Sequence, residues 1–146
     1  HQLRAQVEHW FAPGGQRALS VSVQSFSYKR GLPRSVDTVY DCRFLRNPYW
    51  DEDLRVLNGT DDRVADYVKR DERFQDFADR VLDLTLLLLP AYREEGKSYL
   101  SIALGCSGGQ HRSVVMAREL AFGLAEHGWQ VSIRHRELDL RKQEGA

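Results

Sequence analysis

The chain has little of what staples a small secreted fold or anchors one in a membrane. Its 146 residues include 2 cysteines, 4 prolines and 1 methionine. Cys42 and Cys106 cannot form a disulfide framework, and such sparse thiols fit a reducing compartment, so a cytoplasmic location is expected. No signal peptide is visible. The longest apolar run, Leu84 to Leu89 with Thr85 inside it, is far too short to span a bilayer. No spacing of Cys, His and Asp has the form of a zinc site, so no metal is expected. No Gly-x-x-x-x-Gly-Lys-Ser/Thr occurs, which excludes a Walker-type phosphate loop from these residues. Net charge is absent as well, since 21 Lys and Arg balance 21 Asp and Glu.

That balance hides an uneven distribution. Residues 1–50 hold seven Lys and Arg against three acids, whereas residues 51–100 hold eight against thirteen. Arg17, Lys29, Arg30, Arg34, Arg43 and Arg46 make the first third basic. This is either a footprint for a polyanion or scattered solvated charge. The length suits a single domain spanning 1–146, with a core over about 18–138. The chain opens at His1 without Met, and the expectation is a piece of a longer protein.

Periodicity outlines the elements. Leu3, Val7, Trp10 and Phe11 recur at helical spacing, and Pro13-Gly14-Gly15 ends that pattern, so a helix is expected over 1–12. Ala18 to Tyr28 alternates as a strand does, and Val36 to Cys42 reads as a second strand. From Asn47 to Asp61 breakers dominate, and a long functional loop is expected there. A short helix capped by Asp61 or Asp62 runs to Arg70. A longer helix follows from about Glu72 to Leu89, with Phe74, Phe77, Val81, Leu84 and Leu88 as its buried stripe and Pro90 ending or bending it. Tyr99 to Cys106 is a third strand. A second long helix runs to Glu126, with His127-Gly128 as its cap. Gln130 to Arg136 is a last strand, and the polar tail from Glu137 reads as frayed. This order predicts an α/β fold, a small and mostly parallel sheet flanked by helices. Ligands in such folds collect at the carboxyl ends of strands.

One stretch there carries chemistry: Cys106-Ser-Gly-Gly-Gln-His-Arg-Ser113. A Gly-rich turn between a strand and a helix leaves backbone N–H groups without partners, and the positive end of the helix dipole adds to them. A phosphate or another oxyanion is the natural occupant. A tight turn without a ligand is the plain alternative. Asp41 and Arg43 follow the end of another strand and are expected to converge on the same pocket. Cys106 is expected as a small buried residue, and His111 as a ligand-site candidate. Arg112 suits an oxyanion or a carboxylate such as Asp41. Trp50 is expected to pack its loop on the core. His135 fits a structural role or a nucleic-acid face equally well.

Two resemblances follow. The spacing Cys106-x5-Arg112 is similar to the loop of cysteine-dependent phosphatases. There a thiolate attacks phosphorus, the arginine holds oxygens, and an acid, here Asp41, protonates the leaving group. Gly105 departs from that pattern, which usually has His before the cysteine. The second resemblance covers about residues 18–138. Gln24-Ser-Phe-Ser-Tyr-Lys-Arg-Gly-Leu-Pro33, Asp41-Cys-Arg-Phe-Leu-Arg-Asn-Pro-Tyr-Trp50, Gly105-Cys-Ser-Gly-Gly-Gln-His-Arg-Ser-Val114 and Arg134-His-Arg136 look like the C-terminal domain of the RapZ family of RNase adapter proteins, also described as YvcJ-like nucleotide-binding proteins.

This resemblance implies a fold similar to the sugar-phosphate-binding half of phosphofructokinase and a regulatory rather than enzymatic role. The implied ligand is a sugar phosphate, of which glucosamine-6-phosphate is the best-studied case. The implied partners are a small regulatory RNA, an endoribonuclease and further copies of the chain, with no membrane. ATP or GTP would belong to an N-terminal P-loop domain outside these residues, and no cofactor is expected in this one. The implied ligand residues are Cys106, Ser107, Gly108, Gly109, Gln110, His111, Arg112, Ser113, Asp41 and Arg43. The RNA candidates are Lys29, Arg30, Arg43 and Tyr49. Tyr49 replaces a usual His, and Gln110 stands where Lys or Arg is common. Both differences make the surface less basic than the family pattern.

Overall fold

The computed structural model describes residues 7–10 and 16–145, with side chains from Leu19 onward. Five strands form one sheet: β1 (Val7–Trp10), β2 (Gln16–Ser27), β3 (Thr38–Asp41), β4 (Tyr99–Cys106) and β5 (Trp129–His135). Their order is β1-β5-β2-β4-β3. β2 pairs in parallel with both β4 and β5, and β3 pairs in parallel with β4. β1 is the antiparallel edge. The fold is thus α/β with a mostly parallel sheet. Ser27, Asp41, Cys106 and His135, at the carboxyl ends of the four parallel strands, lie along one rim. The chain leaves β2 toward β4 and β3 and later returns to its other side as β5. Such a reversal opens a crevice at the strand ends.

The helical expectation for the N-terminus is corrected where it is described. Val7 to Trp10 pair with Arg134 to Val131 in a strand ladder. Edge pairing satisfies the backbone of a short segment more fully than one isolated helical turn would. Leu3 and Phe11 lie outside the described residues.

One face of the sheet builds the core. Leu19, Val21 and Val23 of β2, Ile102 and Leu104 of β4, and Val131 and Ile133 of β5 are buried in one apolar cluster. It is covered by α3 (Glu72–Glu94) and α4 (Arg112–Glu126). The alternation of these strands is the two-residue pleat at work.

The stretch from Asn47 is less irregular than its breakers suggest. Pro48–Trp50 form a 3-10 turn capped by Asn47. The Asp51 carboxylate accepts from the amides of Asp53 and Leu54 and starts α1 (Glu52–Arg55). Asp61 caps α2 (Asp62–Lys69), and Asp71 caps α3. The buried stripe of α3 is Phe74, Ala78, Val81, Thr85 and Leu89; Leu84 is exposed and Leu88 only half-buried. The run of leucines offered no unique phase. Thr85 enters the core because its hydroxyl donates to the Val81 carbonyl at 2.7 Å. The helix passes through Pro90 to Glu94. Buried Leu89 and partly buried Tyr92 hold the turn that the missing proline N–H weakens.

The polar tail is a helix, α5 (Arg136–Gly145). It is anchored by Glu137, whose buried carboxylate accepts from Arg30 Nε at 3.0 Å and Arg141 Nε at 2.9 Å. An ion-paired anchor leaves no hydrophobic stripe to read.

Candidate phosphate-binding site

β4 delivers Cys106 to the rim, and α4 starts at Arg112, so Ser107 to His111 form a turn between the two. Its carbonyls are drawn toward the scaffold. The Ser27 hydroxyl donates to the Ser107 carbonyl at 2.7 Å, and the Gly59 amide donates to the Gln110 carbonyl at 2.7 Å. Gly109 adopts φ 71°, and a Cβ there would lie 2.8 Å from the Ser27 amide nitrogen. Only glycine permits both that backbone and that approach. The amides of Gly108 through Arg112 have no protein acceptor among the described residues. They line a cavity of about 410 Å³ at the amino end of α4, with Lys29, Tyr49, Trp50 and Arg141 at its sides. Free N–H groups at a helix start are suited to an oxyanion.

The side chains of the loop act mainly as struts. The Cys106 thiol is buried and sits 3.1 Å from the Ser113 hydroxyl, which is also buried. His111 is buried, and its Nε2 donates to the Leu57 carbonyl at 2.6 Å. Burial pushes its pKa below the ordinary imidazole value, against the opposing effect of its hydrogen bond to Leu57. The buried Arg112 donates through one terminal nitrogen to the carbonyls of Arg43 and Leu45. It therefore ties the loop to the segment after β3 through backbone oxygens, not through the Asp41 carboxylate.

Asp41 and Arg43 reach the same rim but turn toward each other. Arg43 Nε and its terminal nitrogen donate to the two Asp41 oxygens at 2.6–3.0 Å, and the Arg43 amide donates to Oδ1 at 2.9 Å. That guanidinium holds the Asp41 carboxyl below its usual range, and it stacks 3.9 Å above the Tyr28 ring. Neither side chain lines the loop cavity. The same device recurs at Asp61 with Arg63 and at Asp71 with Arg73. The Asp-x-Arg spacing pairs within itself at three places but not at Asp53 with Arg55 or Asp139 with Arg141, where Arg55 stacks on Tyr49 and Arg141 pairs with Glu137.

The RNA candidates separate in the same way. Lys29 is exposed beside the loop, whereas Arg30 is paired with Glu137 and with Glu144, at 2.7 Å from the latter. Tyr49 is half-exposed, with its ring edge-on to Trp50. Trp50 is 78% exposed, so it does not pack its loop on the core as expected. His135 donates to or accepts from the Ser25 hydroxyl at 2.8 Å, and burial lowers its pKa to about 4. Sequence reasoning missed Arg141 and Glu137, since α5 itself carried no periodic signal. Among the described residues no group of His, Cys, Asp and Glu is placed to hold a metal ion, and no helix is long and apolar enough to cross a membrane.

Comparison with known proteins accords with this geometry. The sequence profile of the RapZ C-terminal domain matches residues 19–139. A nucleotide-binding protein of Roseobacter denitrificans is 76% identical over 144 residues, covering 99% of this chain and 49% of its own. One from Ruegeria sp. is 70% identical over 138 residues, with 94% and 46% covered, and one from Ruegeria pomeroyi is 58% identical over 142 residues, with 97% and 50% covered. The chain spans about half the length of the curated relatives it matches. A profile match over residues 19–139, nearly all of the described core, places the chain in the RapZ C-terminal domain family.

Proposed function

We propose that this domain is the metabolite-sensing part of an RNase adapter. It binds a phosphorylated aminosugar of the glucosamine-6-phosphate class at the loop, and it contacts RNA and an endoribonuclease in an assembly of several copies. The observation that carries this reading is the row of amides from Gly108 to Arg112, without protein acceptors, around a cavity of about 410 Å³. Those amides suit a phosphate. Ser107 and Gln110 offer partners for hydroxyls, and the exposed rings of Tyr49 and Trp50 suit the face of a sugar or a base. The relatives are named nucleotide-binding. In this reading ATP or GTP binds the part of the longer protein that this chain does not span, and the domain needs no cofactor of its own.

A cysteine phosphatase is the less favoured reading. Cys106 is packed against Ser113, Arg112 is occupied by carbonyls, and Asp41 is held by Arg43. A thermal-shift series separates the two. Glucosamine-6-phosphate should raise Tm more than inorganic phosphate at equal concentration, by mass action on the folded state, with no turnover of para-nitrophenyl phosphate. Equal shifts would reduce the loop to a generic anion site. Turnover abolished by Cys106→Ser would restore the phosphatase.

A further inference from the structure

A second cationic depression lies away from the loop. Gln24 of β2 and Arg134 of β5 are register neighbours that alternate with the buried Val23 and Ile133, so they occupy the sheet face opposite the helices. With Arg30, Arg34 and Arg136 they line a depression of about 480 Å³. Four guanidinium groups around one hollow repel each other unless acids or a bound anion offset them. The acids are few. Glu137 and Glu144 both pair with Arg30, and Asp139 stands 4.0 Å from Arg134 Nε. That Nε is shut off from solvent and has no hydrogen-bond partner, a costly state for a donor. Arg34 has no acidic partner among the described residues, and Arg136 donates to the Gly31 carbonyl at 2.9 Å. The Gly31–Pro33 turn that precedes Arg34 is therefore tied to Arg136.

We propose that this arginine hollow is a second anion site, distinct from the loop, that takes the phosphate groups of an extended phosphate chain. Two sources share that chemistry: the backbone of single-stranded RNA and free inorganic polyphosphate. The guanidinium forks of Arg34 and Arg136 donate to phosphate oxygens in pairs, and Arg134, whose Nε is turned from solvent near Asp139, adds positive charge to the wall. Arg30 completes the wall while its own charge is met by Glu137 and Glu144. The RNA source deepens the adapter reading above and rests on it; the anion site itself does not.

The test measures anisotropy of a labelled oligouridine and the thermal shift given by inorganic tripolyphosphate. It uses the wild-type chain, the double variant Arg34→Ala with Arg136→Ala, and the loop variant Gly108→Val. The double variant should lose about tenfold in oligouridine affinity, and its slope of log affinity against log salt should shrink by about 0.7 per arginine. Its response to glucosamine-6-phosphate should stay at the wild-type level. Loss of the tripolyphosphate response alone identifies free polyphosphate as the source, and loss of oligouridine binding alone identifies RNA. Arg34→Glu, at an exposed position that braces nothing, should repeat the loss if the double variant folds poorly. Gly108→Val should spare oligouridine binding and the part of the tripolyphosphate response that the double variant loses, even where it abolishes the sugar-phosphate response, so failure of the loop reading leaves this result standing. Wild-type binding to neither probe, or unchanged binding in both arginine variants, overturns the proposal.

Discussion

Gly108 and Gly109 are adjacent glycines with opposite structural duties, and exchanging each tests the loop argument. A Cβ on Gly109 would meet Glu137 Cβ at 2.8 Å, the Ser27 nitrogen at 2.8 Å and Ser27 Cβ at 2.9 Å, on a backbone at φ 71°. The left-handed conformation costs an L-residue about 1–2 kcal/mol. Overpacking against atoms fixed in the sheet adds about 1–3 kcal/mol. Gly109→Ala should therefore lose about 3 kcal/mol, or about 10 °C in Tm for a domain of this size. A Cβ on Gly108 meets nothing within 4 Å. Gly108→Val should keep its stability within about 0.5 kcal/mol of wild type while its side chain occupies the cavity beside the free amides. Scanning calorimetry with and without glucosamine-6-phosphate reads both effects. Equal Tm losses in the two variants, or a full ligand response in Gly108→Val, would refute the division of labour drawn from the loop geometry.

Three further outcomes are expected. Arg112→Ala leaves the Arg43 and Leu45 carbonyls without their donor, so urea unfolding should show a loss of about 1–3 kcal/mol even with no ligand present. His135 has its pKa lowered to about 4 by burial, against about 6.5 when unfolded. Its contribution is full above pH 6.5 and is lost as pH falls through about 4. It is worth about 3 kcal/mol, and His135→Gln should flatten that part of an acid titration of stability. Glu137→Ala removes the carboxylate shared by Arg30 and Arg141, and hydrogen exchange should show α5 losing protection before the sheet does.

What could be read from the sequence was whatever local pattern decides. The strand Tyr99–Cys106 and the helix ending at Glu126 stand where an apolar run, a Gly-rich turn and a helical repeat put them. The turn from Ser107 to His111 was legible because its glycines sit between those two elements. Elements decided by tertiary contacts were not. Val7–Trp10 pair with β5, and α5 forms around one buried carboxylate. Six residues from Leu84 to Leu89, five of them leucine, could not tell which turn would face the core. At the site, residue types were visible but their partners were not. Asp41 and Arg43 satisfy each other, and Arg112 reaches backbone carbonyls, because pairing depends on distances that composition does not encode.

The bracing of the loop has a kinetic and thermodynamic consequence. Ser27 and Gly59 hold two of its peptide carbonyls, and the Leu57 carbonyl holds the His111 ring, all through hydrogen bonds within the protein. On the proposed reading an arriving phosphate would have no segment to order, and little backbone conformational entropy would be lost on capture. Association should then be a single fast step without a slow isomerisation phase. Discrimination among phosphate esters would come from what the rigid walls reject, not from a closure that follows binding.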